Sequence, residues 1–131
     1  GFPAISQRQF TGGSITVTVT GTTNFSAEIP LNTKASYGDG EVTWLEFGNS
    51  GSAEPNAGVT YCQPREFGIT VARGKFLATG GIIPGEKSGC SGSAKVTPAL
   101  ITGEYTCTGL TSNESAGMGK VNLKVIFVAK T

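Results

Sequence analysis

Residues 14 to 20 read Ser-Ile-Thr-Val-Thr-Val-Thr, and this strict alternation limits the fold more than any other feature of the chain. Successive side chains of an extended strand point to opposite faces, so Ile15, Val17 and Val19 share one face and Thr16, Thr18 and Thr20 the other. A helix would scatter the same residues around its axis. The pattern returns in the last strand-like run, Val121 to Lys130, where Val121, Leu123, Val125 and Phe127 form one face. Its other face is mixed: Asn122 and Lys124 are polar, whereas Ile126 and Val128 are not.

Shorter runs of the same kind recur along the chain: 25–29, 42–47, 59–62, 67–73, 75–83, 95–101 and 104–108. Gly, Pro and Asn punctuate the gaps between them, and no stretch keeps a helical period through three turns. The expected fold is all-β, an antiparallel β-sandwich or flattened barrel of about eight or nine short strands. The Gly- and Ser-bearing stretches 48–58 and 84–94 are expected to be loops. Residues 1–13, GFPAISQRQFTGG, hold a Pro, a Gly pair and no period, and are expected to form an N-terminal arm leading into one domain over 14–131.

Composition supports this reading. Twenty Gly, 17 Thr and 11 Ser against only 15% charged residues favour turns and β-branched strands over helices. A formal charge of +1 gives no field that would gather nucleic acid, so none is expected as a partner. The longest apolar run, Val125 to Ala129, is far short of the roughly 20 residues of a spanning helix, and no transmembrane segment is expected. The chain opens at Gly1 without a Met, and the expectation of export rests on other signs: little charge and three Cys in a small β-rich domain. The expected location is extracytoplasmic: secreted, periplasmic or surface-attached.

The same inventory narrows the chemistry. With no His, the chain lacks the imidazole partner of Ser and Cys nucleophiles and the imidazole ligands of zinc and copper sites. Asp39 is the sole Asp, so calcium loops built from alternating carboxylates have no counterpart. Three Cys without a CxxC do not make a four-thiolate zinc site. Glu41 and Glu46, five residues apart in an extended run, face opposite ways and cannot flank one glycosidic bond. No enzymatic activity, metal or cofactor is expected.

Trp44 is the sole Trp, and the area an indole buries makes a core position the expectation for it. The alternative is a stacking platform for a small ligand or carbohydrate, with Glu46 on the same face accepting hydrogen bonds and Tyr37 lining the edge. Cys62, Cys90 and Cys107 allow three single bridges. Cys90–Cys107 is the expected one, because SGCSGS is flexible enough to meet the narrow Cα separation a disulfide demands. Cys62 is then a buried small hydrophobe or an attachment point.

The stretch ITGEYTCTGL raises one comparison. Tyr-x-Cys resembles strand F of an immunoglobulin domain, but that pattern places a Trp between its two Cys, and Trp44 precedes both Cys62 and Cys107. Residues 103–129, a Gly-x-aromatic-x strand followed by a polar stretch and a last alternating strand, resemble the closing strands of small exported bacterial β-sandwich lipoproteins. That style is shared by many families and names no function.

The expected function follows from two apolar features without an evident cover. Ile126 and Val128 interrupt a polar face, and Phe2, Ile5 and Phe10 make the arm too apolar for a free tail. These five residues are the expected interface of a structural or binding component of a cell-envelope, surface or extracellular assembly, with a protein partner or self-assembly. The alternatives are a small-ligand or carbohydrate-binding module centred on Trp44, and a secreted enzyme inhibitor that presents the 48–58 or 84–94 loop.

Overall fold

The alternating runs lie in strands except 95–101, which Pro98 divides into the end of one strand, a turn over 97–99 and the start of the next; every pairing among the described strands is antiparallel. The computed structural model describes residues 9–38, 42–62 and 66–131, and contains ten strands there. These are β1 (Gly12–Gly21), β2 (Phe25–Pro30), β3 (Tyr37–Gly38), β4 (Val42–Phe47), β5 (Asn56–Cys62), β6 (Glu66–Arg73), β7 (Phe76–Ile82), β8 (Cys90–Val96), β9 (Leu100–Glu114) and β10 (Gly117–Lys130). Their spatial order is β2-β1-β10-β9-β7-β6-β5-β4-β3, with β8 attached to β9 off this path. The sheet curls on itself: Leu31, just past β2, bridges Phe47 at the end of β4, and the Gly48 N–H donates to the Pro30 carbonyl at 2.9 Å. The result is a flattened half-barrel with β8, β9, β10, β1 and β2 on one side and β3 to β7 on the other.

Alternation decides what faces inward. Ile15, Val17 and Val19 stand opposite Phe127, Val125 and Leu123, and all six are buried. Phe47, Tyr61, Phe67, Tyr105 and Phe127 fill the interior, with the Phe67 and Tyr105 rings stacked at 3.7 Å between centroids and the Phe47 and Phe127 rings at 6.3 Å. Gly103 is required here: a Cβ at that position would meet the Phe127 ring at 2.3 Å. Burial pushes the Tyr61 phenol pKa far up, with Tyr105 as its hydrogen-bonding neighbour, and raises Tyr105 as well, so both are neutral core groups.

β9 joins the two sides. Its first half pairs with β8, whereas Ser112 and Asn113 near its end pair with Ala78 and Leu77 of β7. Between them the register against β10 shifts, from Leu110 opposite Val121 to Cys107 opposite Leu123. Gly109 sits in this bulge at φ 70°, and its N–H donates to the Asn122 side chain at 3.0 Å. Bulges bend a strand and sharpen its twist, and this one lies where β9 passes from one side of the barrel to the other.

Several boundaries differ from the sequence reading. Cys90 to Ala94, expected inside a loop, belong to β8. Gly and Ser hide a strand whose extended state comes from pairing with β9 rather than from its own propensity. The polar stretch 112–120 is the tip of a hairpin, and β5 begins at Asn56, inside the expected 48–58 loop. The expected Cys90–Cys107 disulfide is present, between residues directly opposite each other on β8 and β9. Phe10 of the expected arm lies in the protein's own core at 6% exposure, and Phe2 and Ile5 lie outside the described residues.

One carboxylate ties the two hairpin tips together. Glu114 accepts hydrogen bonds from the hydroxyls of Ser112, Thr22 and Thr23, while the Thr22 hydroxyl accepts from the Lys120 N–H at 3.0 Å. Gly119 leaves room for this, since a Cβ there would fall 1.8 Å from the Glu114 carboxylate. The Ser112 hydroxyl, followed by those of Thr22 and Thr23, holds the Glu114 pKa below the usual range.

Two predictions follow from these ties. Replacing both Cys90 and Cys107 with Ser should cost roughly 3 kcal/mol in the chain-entropy account, read as a lower urea midpoint. Because the Glu114 pKa is lower in the folded than in the unfolded chain, its contribution is full above the unfolded value and lost as pH falls through the folded one. Glu114→Gln should therefore be less stable than the wild type at neutral pH, and the gap should close in acid. A gap that persists at pH 2 contradicts the assignment.

Candidate functional site

Trp44 is not in the core. In β4 it is Leu45 and Phe47 that are fully buried, and so Trp44 and Glu46 project from the outer face. The expectation of a core indole is corrected by a simple fact of the sequence: both faces of 42–47 carry large apolar residues, and Leu45 with Phe47 takes the interior. Trp44 is half-buried because its ring lies over Gly58 of the neighbouring strand, where a Cβ would meet the indole at 2.5 Å. Glycine at 58 provides a flat seat that no other residue would leave open.

The three candidate ligand residues come together. Tyr37 is the register partner of Trp44 and 53% exposed, and Glu46 lies two positions along the same face. The turn that delivers Tyr37 is fastened by Ser36, a residue sequence reasoning did not single out. Its buried hydroxyl donates to the Asn32 carbonyl at 2.8 Å and accepts from the Glu46 N–H at 2.9 Å. The Asn32 amide also reaches the Glu46 carboxylate at 3.5 Å. No signal in the sequence distinguishes Ser36 from the other turn serines.

Across the strands, Tyr37 and Trp44 continue into a row of small residues: Thr60 on β5, Gly68 on β6 and Gly81 on β7. The far end of this row widens into a cleft of about 410 Å³, lined among others by Thr60, Glu66, Gly68, Gly81, Ile83 and Lys87. Ile83 is 50% exposed there. The face thus offers an aromatic platform at one end, an apolar side chain at the other and a floor of backbone and hydroxyls between them. Ring-faced, hydroxyl-bearing ligands suit such a surface, since their apolar faces stack while their edges hydrogen-bond.

Of the expected interface residues, Ile126 and Val128 occupy the opposite outer face. Val128 is flanked by Ser14 and Thr102, and Ile126, 47% exposed, by Thr16 and Glu104. With Lys95 and Ser93 of β8 they border a hollow of about 520 Å³. Among the described residues, no group of three or more Cys, Asp or Glu side chains is placed to hold a metal ion. Among the described residues, no helix is long and apolar enough to cross a membrane. No protein-family model, curated protein or solved structure matches the chain.

The indole seat can be checked directly, because Trp44 is the sole fluorophore of its kind. Gly58→Val should expel the ring, shifting emission to longer wavelength and increasing quenching by acrylamide while the far-ultraviolet circular dichroism stays that of the wild type. Unchanged emission would mean that the ring does not rest on Gly58.

Proposed function

We propose that this protein is an extracytoplasmic, non-catalytic binding module that holds a carbohydrate, or a small ligand of similar shape, against Trp44 and Tyr37. The observation that carries the reading is the position of Trp44: a partly buried indole outside the core, lying over Gly58 beside an exposed Tyr37. A residue that buries so much area in a core is here spent on a surface, next to a carboxylate already oriented by Asn32. The Cys90–Cys107 bridge supports an oxidising compartment, where such bonds persist. A role inside a larger surface assembly is a second reading, favoured by the exposed Ile126 beside Val128.

Titration of the intrinsic fluorescence with soluble oligomers of glucose and of N-acetylglucosamine tests the module reading. Saturable quenching or enhancement by at least one series is expected, together with a loss of about tenfold or more in affinity, roughly 1.4 kcal/mol, on Tyr37→Ala. The complete absence of any response, confirmed by calorimetry, would remove the carbohydrate reading and leave the assembly reading in its place.

A further inference from the structure

The edges of the sheet are not equally protected. β2 ends at Pro30 and is closed against β4 through Leu31, and β3 is two residues long. β8 is different: seven residues without a Pro, paired among the described residues with β9 alone. Natural sheets blunt such edges with prolines, bulges, short strands or charged side chains, of which β8 carries Lys95 near its end, because an open edge is a template for another strand.

The hydrogen-bond phase of this edge can be read from its ends. The Thr108 N–H donates to the Gly89 carbonyl and the Thr97 N–H to the Leu100 carbonyl. Antiparallel pairs alternate between bonded and non-bonded, so Ser91, Ser93 and Lys95 use their backbone groups on β9. Those of Gly92 and Ala94 therefore point away from it. The Cys90 N–H is already taken by the Ser88 hydroxyl at 3.2 Å, which leaves Gly92 and Ala94 as the free centre of the edge.

We propose that β8 pairs antiparallel with β8 of a second copy of this chain, about a two-fold axis at Ser93. In that register Gly92 of one copy exchanges both backbone hydrogen bonds with Ala94 of the other. Ser93 faces itself as a non-bonded pair, and Ser91 comes opposite Lys95. The charges favour this occupant: Lys95, the one charged residue of β8, never meets its own copy. It lies instead on the same outer face as Glu104 of the second copy, which stands behind Ser93. On the inner face, the half-buried Ala94 and Val96 gain cover from small residues. The disulfide to Cys107 holds this short, weakly β-forming strand in place, so little ordering remains to be done on association. The contact is isologous and closes at two subunits.

Sedimentation equilibrium of the intact protein, over increasing concentration, should show a monomer–dimer equilibrium built on the 13.4 kDa chain. Ala94→Pro removes an N–H directed away from β9 and so leaves the intramolecular ladder intact, yet should weaken association about tenfold or more. As a second readout, made in a Cys62→Ser background, Ser93→Cys should give a covalent dimer on oxidation, whereas Ser91→Cys, which faces Lys95, should give little. A protein that stays monomeric throughout, a dimer untouched by Ala94→Pro, or equal crosslinking at 91 and 93 would each overturn the proposal. So would a monomer that captures an extended peptide at this edge.

Discussion

The pairing of β9 on both of its edges is the interaction on which the rest of the architecture depends. β10 runs along one edge for nearly its full length, and β8 and β7 divide the other. Because β8 and β7 lie on opposite sides of the flattened barrel, β9 must belong to both. The bulge at Gly109 supplies the bend: one extra residue on β9 changes the register against β10 where the strand has to turn. Without that bend a sheet of this many strands would remain open, and the aromatic cluster of Phe47, Tyr61, Phe67, Tyr105 and Phe127 would have only one wall.

Curling the sheet also gives its outer face two characters. Over β1, β9 and β10 the outward positions are mainly Ser and Thr, with Lys124, Glu104, Ile126 and Val128 among them. Over β5 to β7 they include Gly58, Gly68 and Gly81, residues that weaken a strand because they offer no side chain to pack. At Gly58 that loss has a visible return, since the indole of Trp44 occupies the space. The glycines of the outer face thus form the floor that runs from Trp44 across β5, β6 and β7.

Much of the fold was legible in the alternation of hydrophobic residues, and the reasons for the failures are physical. The period of two assigned Ile15, Val17, Val19, Leu123 and Val125 to the interior because their opposite faces are largely polar. In 42–47 it separated Trp44 from Leu45 and Phe47 but could not orient them, since either set could be the buried one. β8 escaped notice because Ser, Gly and Ala carry no periodic signal, and its strand state is imposed by a neighbour seventeen residues away. The candidate residues Tyr37, Trp44 and Glu46 were readable as neighbours on one edge. The Ser36 hydroxyl that holds their turn was not, because its role exists only once β4 lies beside residues 32–36.

The disulfide has a structural purpose beyond shortening a loop of the unfolded chain. After Ala78, β7 parts from β9 to follow β6, and β8 takes its place from Cys90 onward. A fork between two strands leaves a gap in the barrel wall at that point. The sulfurs of Cys90 and Cys107 lie there against Gly80 of β7, where a Cβ would stand 3.0 and 3.1 Å from them, and the Leu110 side chain crowds the same space. Cys107 is almost fully buried. The bridge therefore acts as apolar filling as well as covalent tether, and the small residue at 80 permits it to seal the fork. This explains why a strand as poor in β-forming residues as CSGSAKV can be kept at an edge: it is anchored at the one place where the wall would otherwise open.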